Sequence, residues 1–290
     1  MGAIEFVSPL QLSRIATEFR AKQHNTLWVA MTRSPFDRAQ NFSRDLLLDV
    51  CTLHQSIHAN GIAWVAAGAK HPIDYVVLRS EHPDYFSLGG DLAYFLECIR
   101  ARDAQGLRDY AMLCADMVYD WSTTLNRQVT TIALVQGRAL GGGFETALAS
   151  DFLIAEEHSE FGFPEILFGL FPCTGGMSLL ARRVGVHEAE RMMTNGKIYS
   201  AAELKERGIV DEICARGQGA VTVEKFIASH ARHHAARLML QRSRYRVAPL
   251  SYEELRTVVD EWVETAMQLG EDDLRVMEML IKLQKASVTG

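Results

Sequence analysis

Residues 141–145 read GGGFE, and twenty residues past Glu145 the chain reads GFPE, ending at Glu165. Each carboxylate sits beside a turn that glycine or a Gly-x-Pro step makes easily, among Phe144, Phe161, Phe163, Ile166, Leu167 and Phe168. Two neighbouring carboxyls in an apolar pocket resist ionising together, so one keeps its proton while the other is charged. Such a pair can act as general acid and general base. The glycines bring a second kind of chemistry, because a backbone without Cβ atoms lets N–H groups approach a ligand closely. By itself the triple glycine is equally well a tight strand-to-helix turn. A second glycine turn, YFSLGGDLAYF (85–95), shifts that balance: it too follows an apolar run and places Asp91 near a helix cap. Two such turns can each aim one N–H at the same oxygen, forming a backbone oxyanion hole in which each donor contributes about 3–4 kcal/mol to the barrier.

These residues need a scaffold of strands that end in glycine turns. TLWVAMTR (26–33), DYVVLRS (74–80) and TTIALVQG (130–137) read as buried strands, and DFLIAEE, SEFGF and IVDEI as shorter ones. A helix is predicted over 43–59, and helical character runs from Leu92 to Asn126. At the N-terminus, Ser8 and Pro9 precede Leu12, Ile15, Ala16 and Phe19, a spacing that predicts an amphipathic helix over about 8–22. From about residue 220 onward the pattern is helical, with a capping box at SYEE (251–254) and an apolar face of Leu274, Met277, Leu280 and Ile281. That face covers an acyl tunnel or packs on the core or a neighbouring subunit. The expected class is α/β, with a core over 1–215 and a helical C-terminal subdomain over 216–290.

Composition narrows the function. With 30 Lys and Arg against 36 Asp and Glu, the formal charge is −6, which leaves no global field for nucleic acid. The cysteines, Cys51, Cys98, Cys114, Cys173 and Cys214, show no metal-ligand spacing, and their odd number points to free thiols in a reducing compartment. No metal or other cofactor is expected. No signal-peptide pattern or long apolar run is present, so the expectation is a soluble cytoplasmic protein without a membrane partner. The glycines are contiguous and mid-chain, unlike a Rossmann fingerprint, and no Gly-Lys-Ser/Thr of a Walker loop occurs.

The stretches FSLGGDL, GRALGGGFETALASDFLIA, FGFPEILFGLFPCTGG and GKIYSAAELKERGIVDEI, in that order over residues 26–213, resemble the crotonase (enoyl-CoA hydratase/isomerase) superfamily. The resemblance implies a spiral of ββα units and acyl-thioester chemistry, with the substrate carried as a phosphopantetheine thioester on coenzyme A or an acyl carrier protein. By position it gives the oxyanion N–H groups to Gly90 and Gly142 and the catalytic roles to Glu145 and Glu165. It further implies substrate contacts from Leu88, Gly89, Leu140, Gly141, Phe168 and Gly169, and assembly as a homo-trimer or hexamer. Isomerases and hydrolases of the superfamily often lack one of the glutamates. Retention of both points to adding or removing water across C2–C3, with Glu165 serving C2 and Glu145 the hydroxyl.

The expected N-terminal helix in place of a strand hairpin, the C-terminal ending and YFSLGGDLAYF look like the diffusible signal factor synthases of that superfamily. That branch implies dehydration of a 3-hydroxyacyl carrier-protein thioester to a cis-2-enoyl form, release of the free fatty acid by hydrolysis, and a sensor-kinase partner. An ordinary enoyl-CoA hydratase is the alternative, and a catalytically silent regulatory protein is a third reading that both glutamates argue against. Between Lys225 and Tyr252 no acidic residue occurs while arginines accumulate, which fits a carrier-docking field or a solvated face with subunit contacts. His230 and His234 stand four apart without the Glu of a metalloprotease helix.

Overall fold

The computed structural model describes residues 10, 12–21, 24–33, 39–66, 68–123, 125 and 128–286. A hairpin of β1 (Ile15–Arg20) and β2 (Thr26–Met31) comes first, then helix α1 (Arg44–Ala59) capped by Ser43, then a small hairpin of β3 (Ala63–Ala66) and β4 (Ala69–Pro72). From there one unit recurs: a strand for a large sheet, a short strand for a small sheet, and a helix. The first unit is β5 (Tyr75–Ser80), β6 (Tyr85–Ser87) and α2 (Leu92–Ala101), followed by α3 (Ala104–Thr123). The second is β7 (Thr130–Val135), β8 (Arg138–Leu140) and α4 (Gly142–Leu148). The third is β9 (Phe152–Glu156), β10 (Glu160–Gly162) and a 3₁₀ turn at Pro164–Phe168, continued by α5 (Gly176–Val184) and α6 (Val186–Thr194). Then come β11 (Ile198–Ser200), α7 (Ala201–Glu206) and β12 (Glu212–Cys214). Helices α8 (Gly219–His230), α9 (His234–Val247), α10 (Tyr252–Met267) and α11 (Glu271–Ala286) complete the described chain. This is the expected α/β spiral of ββα units.

Among the described residues the large sheet runs β1-β2-β5-β7-β9-β12 and the small one β11-β10-β8-β6. Alternate residues of the large sheet feed two cores, as the pleat requires. Val29, Val76, Leu78, Ala133 and Leu153 face the main core, while Trp28, Tyr75, Val77, Ile132 and Ile154 face a smaller one closed by Val223 and Ile227 of α8. Strands covered on both faces read as continuous apolar runs, which is why the sequence exposed them. Helices α10 and α11 return to the main core through Leu255, Trp262, Leu274 and Met277. Among the described residues no helix is long and apolar enough to cross a membrane.

The N-terminal expectation is corrected. Residues 15–20 are not helical but pair antiparallel with β2, Ile15 opposite Met31 and Arg20 opposite Thr26. The same residues fit both periods: Ile15 and Phe19 are buried in the strand, while Ala16, which a helix would have turned inward, is exposed. Pairing wins because it covers the edge of β2, every residue of which is buried. The proposed cap at Ser8 and Pro9 lies outside the described residues. The helical run from Leu92 is also broken, at Arg102, whose φ of 57° stops α2.

The small sheet is what places the glycine turns. Strands β6, β8 and β10 pair in parallel, with Ser87 and Phe161 both beside Ala139. Their carboxyl ends therefore lie side by side, about 4.8 Å apart. Tyr110 of α3 fixes the turn after β6: its hydroxyl accepts the Asp91 N–H at 3.0 Å and donates to the Phe42 carbonyl. The Phe42 N–H in turn donates to Gly89 O at 2.9 Å. Tyr110→Phe leaves both backbone groups without that partner and is expected to lower stability by about 1–3 kcal/mol. Urea unfolding measures this, and an unchanged midpoint would show that the tie contributes nothing.

Candidate active site

Three consecutive turns, one at the end of each parallel strand of the small sheet, supply the site. The turn after β6 brings Gly90, the turn after β8 brings Gly142, and the turn after β10 brings Glu165. A Cβ added to Gly142 would lie 3.7 Å from the Gly90 nitrogen, so the two N–H groups are neighbours. Among the described residues neither donates to a protein acceptor. Two adjacent, undirected N–H groups facing a cavity can bind one developing oxyanion.

The three glycines answer to different neighbours. A Cβ on Gly141 would come within 2.4 Å of Glu165 Oε1, and one on Gly143 within 2.3 Å of the Ser87 carbonyl. On Gly142 it would meet nothing closer than 3.7 Å, with Glu145 Oε2 at 3.9 Å. The first glycine is demanded by its φ of 52° and the third by the Ser87 backbone. The second leaves open space beside a carboxylate.

Glu145 and Glu165 are brought together but differ in surroundings. Phe144, stacked on Phe163 at 5.0 Å and tilted against Phe161 at 5.3 Å, ties the helix start carrying Glu145 to the strand that leads to Glu165. Glu145 is 2% exposed and takes three donors: the N–H groups of Thr174 (2.8 Å) and Gly176 (2.7 Å) on Oε1, and the Thr174 hydroxyl (2.7 Å) on Oε2. Burial holds its carboxyl above the ordinary range, and the Thr174 hydroxyl and the two N–H groups offset only part of that rise. Glu165 is partly open as a residue, but its Oε2 is sealed and has no hydrogen-bond partner. Burial first, and then the charge on Glu145, raises Glu165 to about 8. Of the two, Glu165 is the carboxyl that favours its proton, because no donor reaches its Oε2 while three reach Glu145.

The cavity has two chambers meeting at Gly90, Phe95, Glu165 and Trp262. The outer one is walled by Leu88, Leu140, Gly141, Phe168 and, from α11, Leu280 and Leu283. The inner one runs past Glu145 to Tyr110, Cys114, Met117 and Cys173. Burial raises both thiols, Cys114 and Cys173, so they stay neutral and line an uncharged wall. Of the residues expected to contact substrate, Leu88, Leu140, Gly141 and Phe168 line the outer chamber. Gly89 shapes its turn, with φ of 89°, and Gly169 faces away, where a Cβ would meet Leu269 Cδ2 at 2.8 Å.

Sequence reasoning missed Thr174, Tyr110, Phe95 and Trp262. Thr174 lies inside FPCTGG, so a signal was in view, whereas Trp262 reaches the cavity from a helix with nothing local to mark it. The basic stretch lies elsewhere: no residue from 225 to 252 lines either chamber, and Arg244 is ion-paired with the buried Asp151. His230 Nδ1 is engaged by the Tyr75 hydroxyl at 2.9 Å. Among the described residues no group of three or more His, Cys, Asp or Glu side chains is placed to hold a metal ion.

The profile of the enoyl-CoA hydratase/isomerase family matches residues 63–253. A probable enoyl-CoA hydratase of Rhizobium meliloti (strain 1021) is 37% identical over 128 residues, which is 44% of this chain and 50% of that protein. A probable mitochondrial enoyl-CoA hydratase of Arabidopsis thaliana is 28% identical over 237 residues, 82% of this chain and 67% of that one. The matched region thus spans about half the length of the first relative. The crystal structure of an enoyl-CoA hydratase from Bacillus halodurans superposes with a TM-score of 0.71 at 22% identity, covering 92% of this chain and 100% of that one, which is a likeness of fold.

The raised Glu165 has a consequence for stability. An unfolded glutamate releases its proton near 4.3, whereas Glu165 in the fold holds it to about 8. Between those values the folded chain binds more protons than the unfolded one, so stability falls as pH rises through the window and levels off above it. Glu165→Gln removes that slope. The melting temperature of the variant relative to wild type is expected to climb across the window, and parallel curves would show that Glu165 ionises as an ordinary carboxyl.

Proposed function

The chain belongs to the enoyl-CoA hydratase/isomerase family, and we propose that it adds water across the C2–C3 double bond of an enoyl thioester carried on coenzyme A. The observation that carries this reading is the asymmetry of the two carboxyls. Three donors favour the anionic form of Glu145, while Glu165, without a partner on Oε2, favours the protonated form. That is the resting state hydration needs. The thioester oxygen accepts the N–H groups of Gly90 and Gly142, which draws electrons from C3. Glu145 takes a proton from water as its oxygen bonds to C3, and Glu165 delivers its proton to C2 as the enolate collapses. One water is consumed, and the proton gained by Glu145 restores Glu165 before the next cycle. Dehydration is the same path reversed and starts from the opposite protonation state.

A second reading, synthesis of a cis-2-unsaturated fatty acid signal from a 3-hydroxyacyl carrier-protein thioester, is favoured by the inner chamber. Its apolar walls at Tyr110, Ala111, Met117 and Phe171 extend past the glutamates and suit an acyl tail. The same N–H pair would serve the hydrolysis step. One ground for this reading falls away, because residues 15–31 form a strand hairpin where a helix over about 8–22 was expected. Carrier-protein docking, trimeric or hexameric assembly and a sensor-kinase partner rest on the resemblance alone.

Hydration of crotonyl-CoA, followed by loss of the enoyl-thioester absorbance, tests the first reading. Glu145→Gln and Glu165→Gln are each expected to lower kcat by about 10²–10⁴-fold, and kcat/KM of the wild type to decline as pH passes about 8, where Glu165 loses its proton. A variant with near-normal turnover would sink the mechanism. If wild type leaves crotonyl-CoA untouched but releases free cis-2-enoic acid from a 3-hydroxyacyl carrier protein, the second reading replaces the first.

A further inference from the structure

The two oxygens of Glu145 are not equivalent. Oε1 accepts two backbone N–H groups, from Thr174 at 2.8 Å and Gly176 at 2.7 Å. A backbone N–H can only donate, so this oxygen is fixed as an acceptor and resists protonation. Oε2 accepts only the Thr174 hydroxyl among the described residues, at 2.7 Å. It is also the oxygen turned toward Gly142, 3.9 Å from where a Cβ on that residue would stand. A hydroxyl both donates and accepts, so this contact can persist whichever partner holds the proton. Thr174 is itself 6% exposed, so water does not readily replace it.

We propose that Thr174 is a positioning residue that assigns proton exchange to Oε2 of Glu145 and holds that carboxylate in the anionic, water-activating form. The inference rests on the hydration reading for its role in turnover. As water adds, the proton leaving it bonds to Oε2, and the Thr174 hydroxyl turns from donor to acceptor of the new O–H. When Glu145 gives the proton up, the hydroxyl turns back. No atom is exchanged with Thr174. The backbone donors on Oε1 cannot follow this change, so without the hydroxyl the carboxyl would have no reversible partner on its working oxygen.

Thr174→Val keeps the shape and removes the hydroxyl, and Thr174→Ser restores the hydroxyl without the methyl. The acid limb of kcat/KM for crotonyl-CoA hydration, where Glu145 must ionise, is expected to move upward by about one pH unit in Thr174→Val, with kcat down roughly tenfold and KM little changed. Thr174→Ser is expected to return the limb toward wild type. The same midpoint can be read without turnover by ¹³C NMR of the Glu145 carboxyl in a Glu165→Gln background, where the second catalytic carboxyl is absent. An unmoved midpoint in a folded Thr174→Val, or a Thr174→Ser that behaves like valine, overturns the proposal. If wild type does not hydrate crotonyl-CoA, the hydration reading fails while the NMR midpoint still decides whether Thr174 holds Glu145 anionic.

Discussion

The parallel pairing of three short strands, β6, β8 and β10, is the constraint on which the rest depends. Each has only three residues, too few to persist alone. They are held because Phe86, Ala139 and Phe161 are wholly buried beneath them and because each follows a long strand of the large sheet across a tight turn. Parallel pairing, with one register shift between Tyr85 and Ser87, then forces three turns, far apart in sequence, to open at one edge. Two present N–H groups and the third a carboxyl. No loop has to search for its partner, so the geometry of the site follows from the register of the sheet.

Having gathered two carboxyls in an apolar cleft, the fold must keep both from charging. Burying an unpaired carboxylate is costly, and burying two side by side is worse. The structure answers by unequal provision. Donors converge on Glu145 from the turn before α5, whereas Oε2 of Glu165 receives none. The proton's place is thus decided by where the backbone directs its N–H groups. The difference between two carboxyls of identical chemistry lies in residues 174–176.

How much of this was legible in the sequence depends on the length scale. The long strands were plain because they are apolar along their whole length, and the glycine turns because glycine and acid stood together. Of the three-residue strands of the small sheet, β10 was read within SEFGF, whereas β6 and β8 were not, being shorter than any period that could reveal them. The N-terminal segment misled for a different reason: Ile15 and Phe19 are four apart, which suits one face of a helix and one face of a strand equally. Only the edge of β2 distinguishes the two, and that edge does not exist until the sheet forms. Thr174 was within sight but mute, since its hydroxyl acquires meaning from a carboxylate 29 residues away. Trp262 and Leu280 come from the last helices and join the cavity by packing alone.

The middle glycine of the triplet carries one more consequence. Its neighbours in sequence are fixed by the backbone itself: Gly141 by its φ of 52°, Gly143 by the Ser87 carbonyl that a Cβ would meet at 2.3 Å. Gly142 is under no such obligation: a methyl group there would fit the protein and obstruct only a guest. A methyl group there would narrow the space between the Gly90 nitrogen and Glu145 Oε2 while leaving the backbone around it undisturbed.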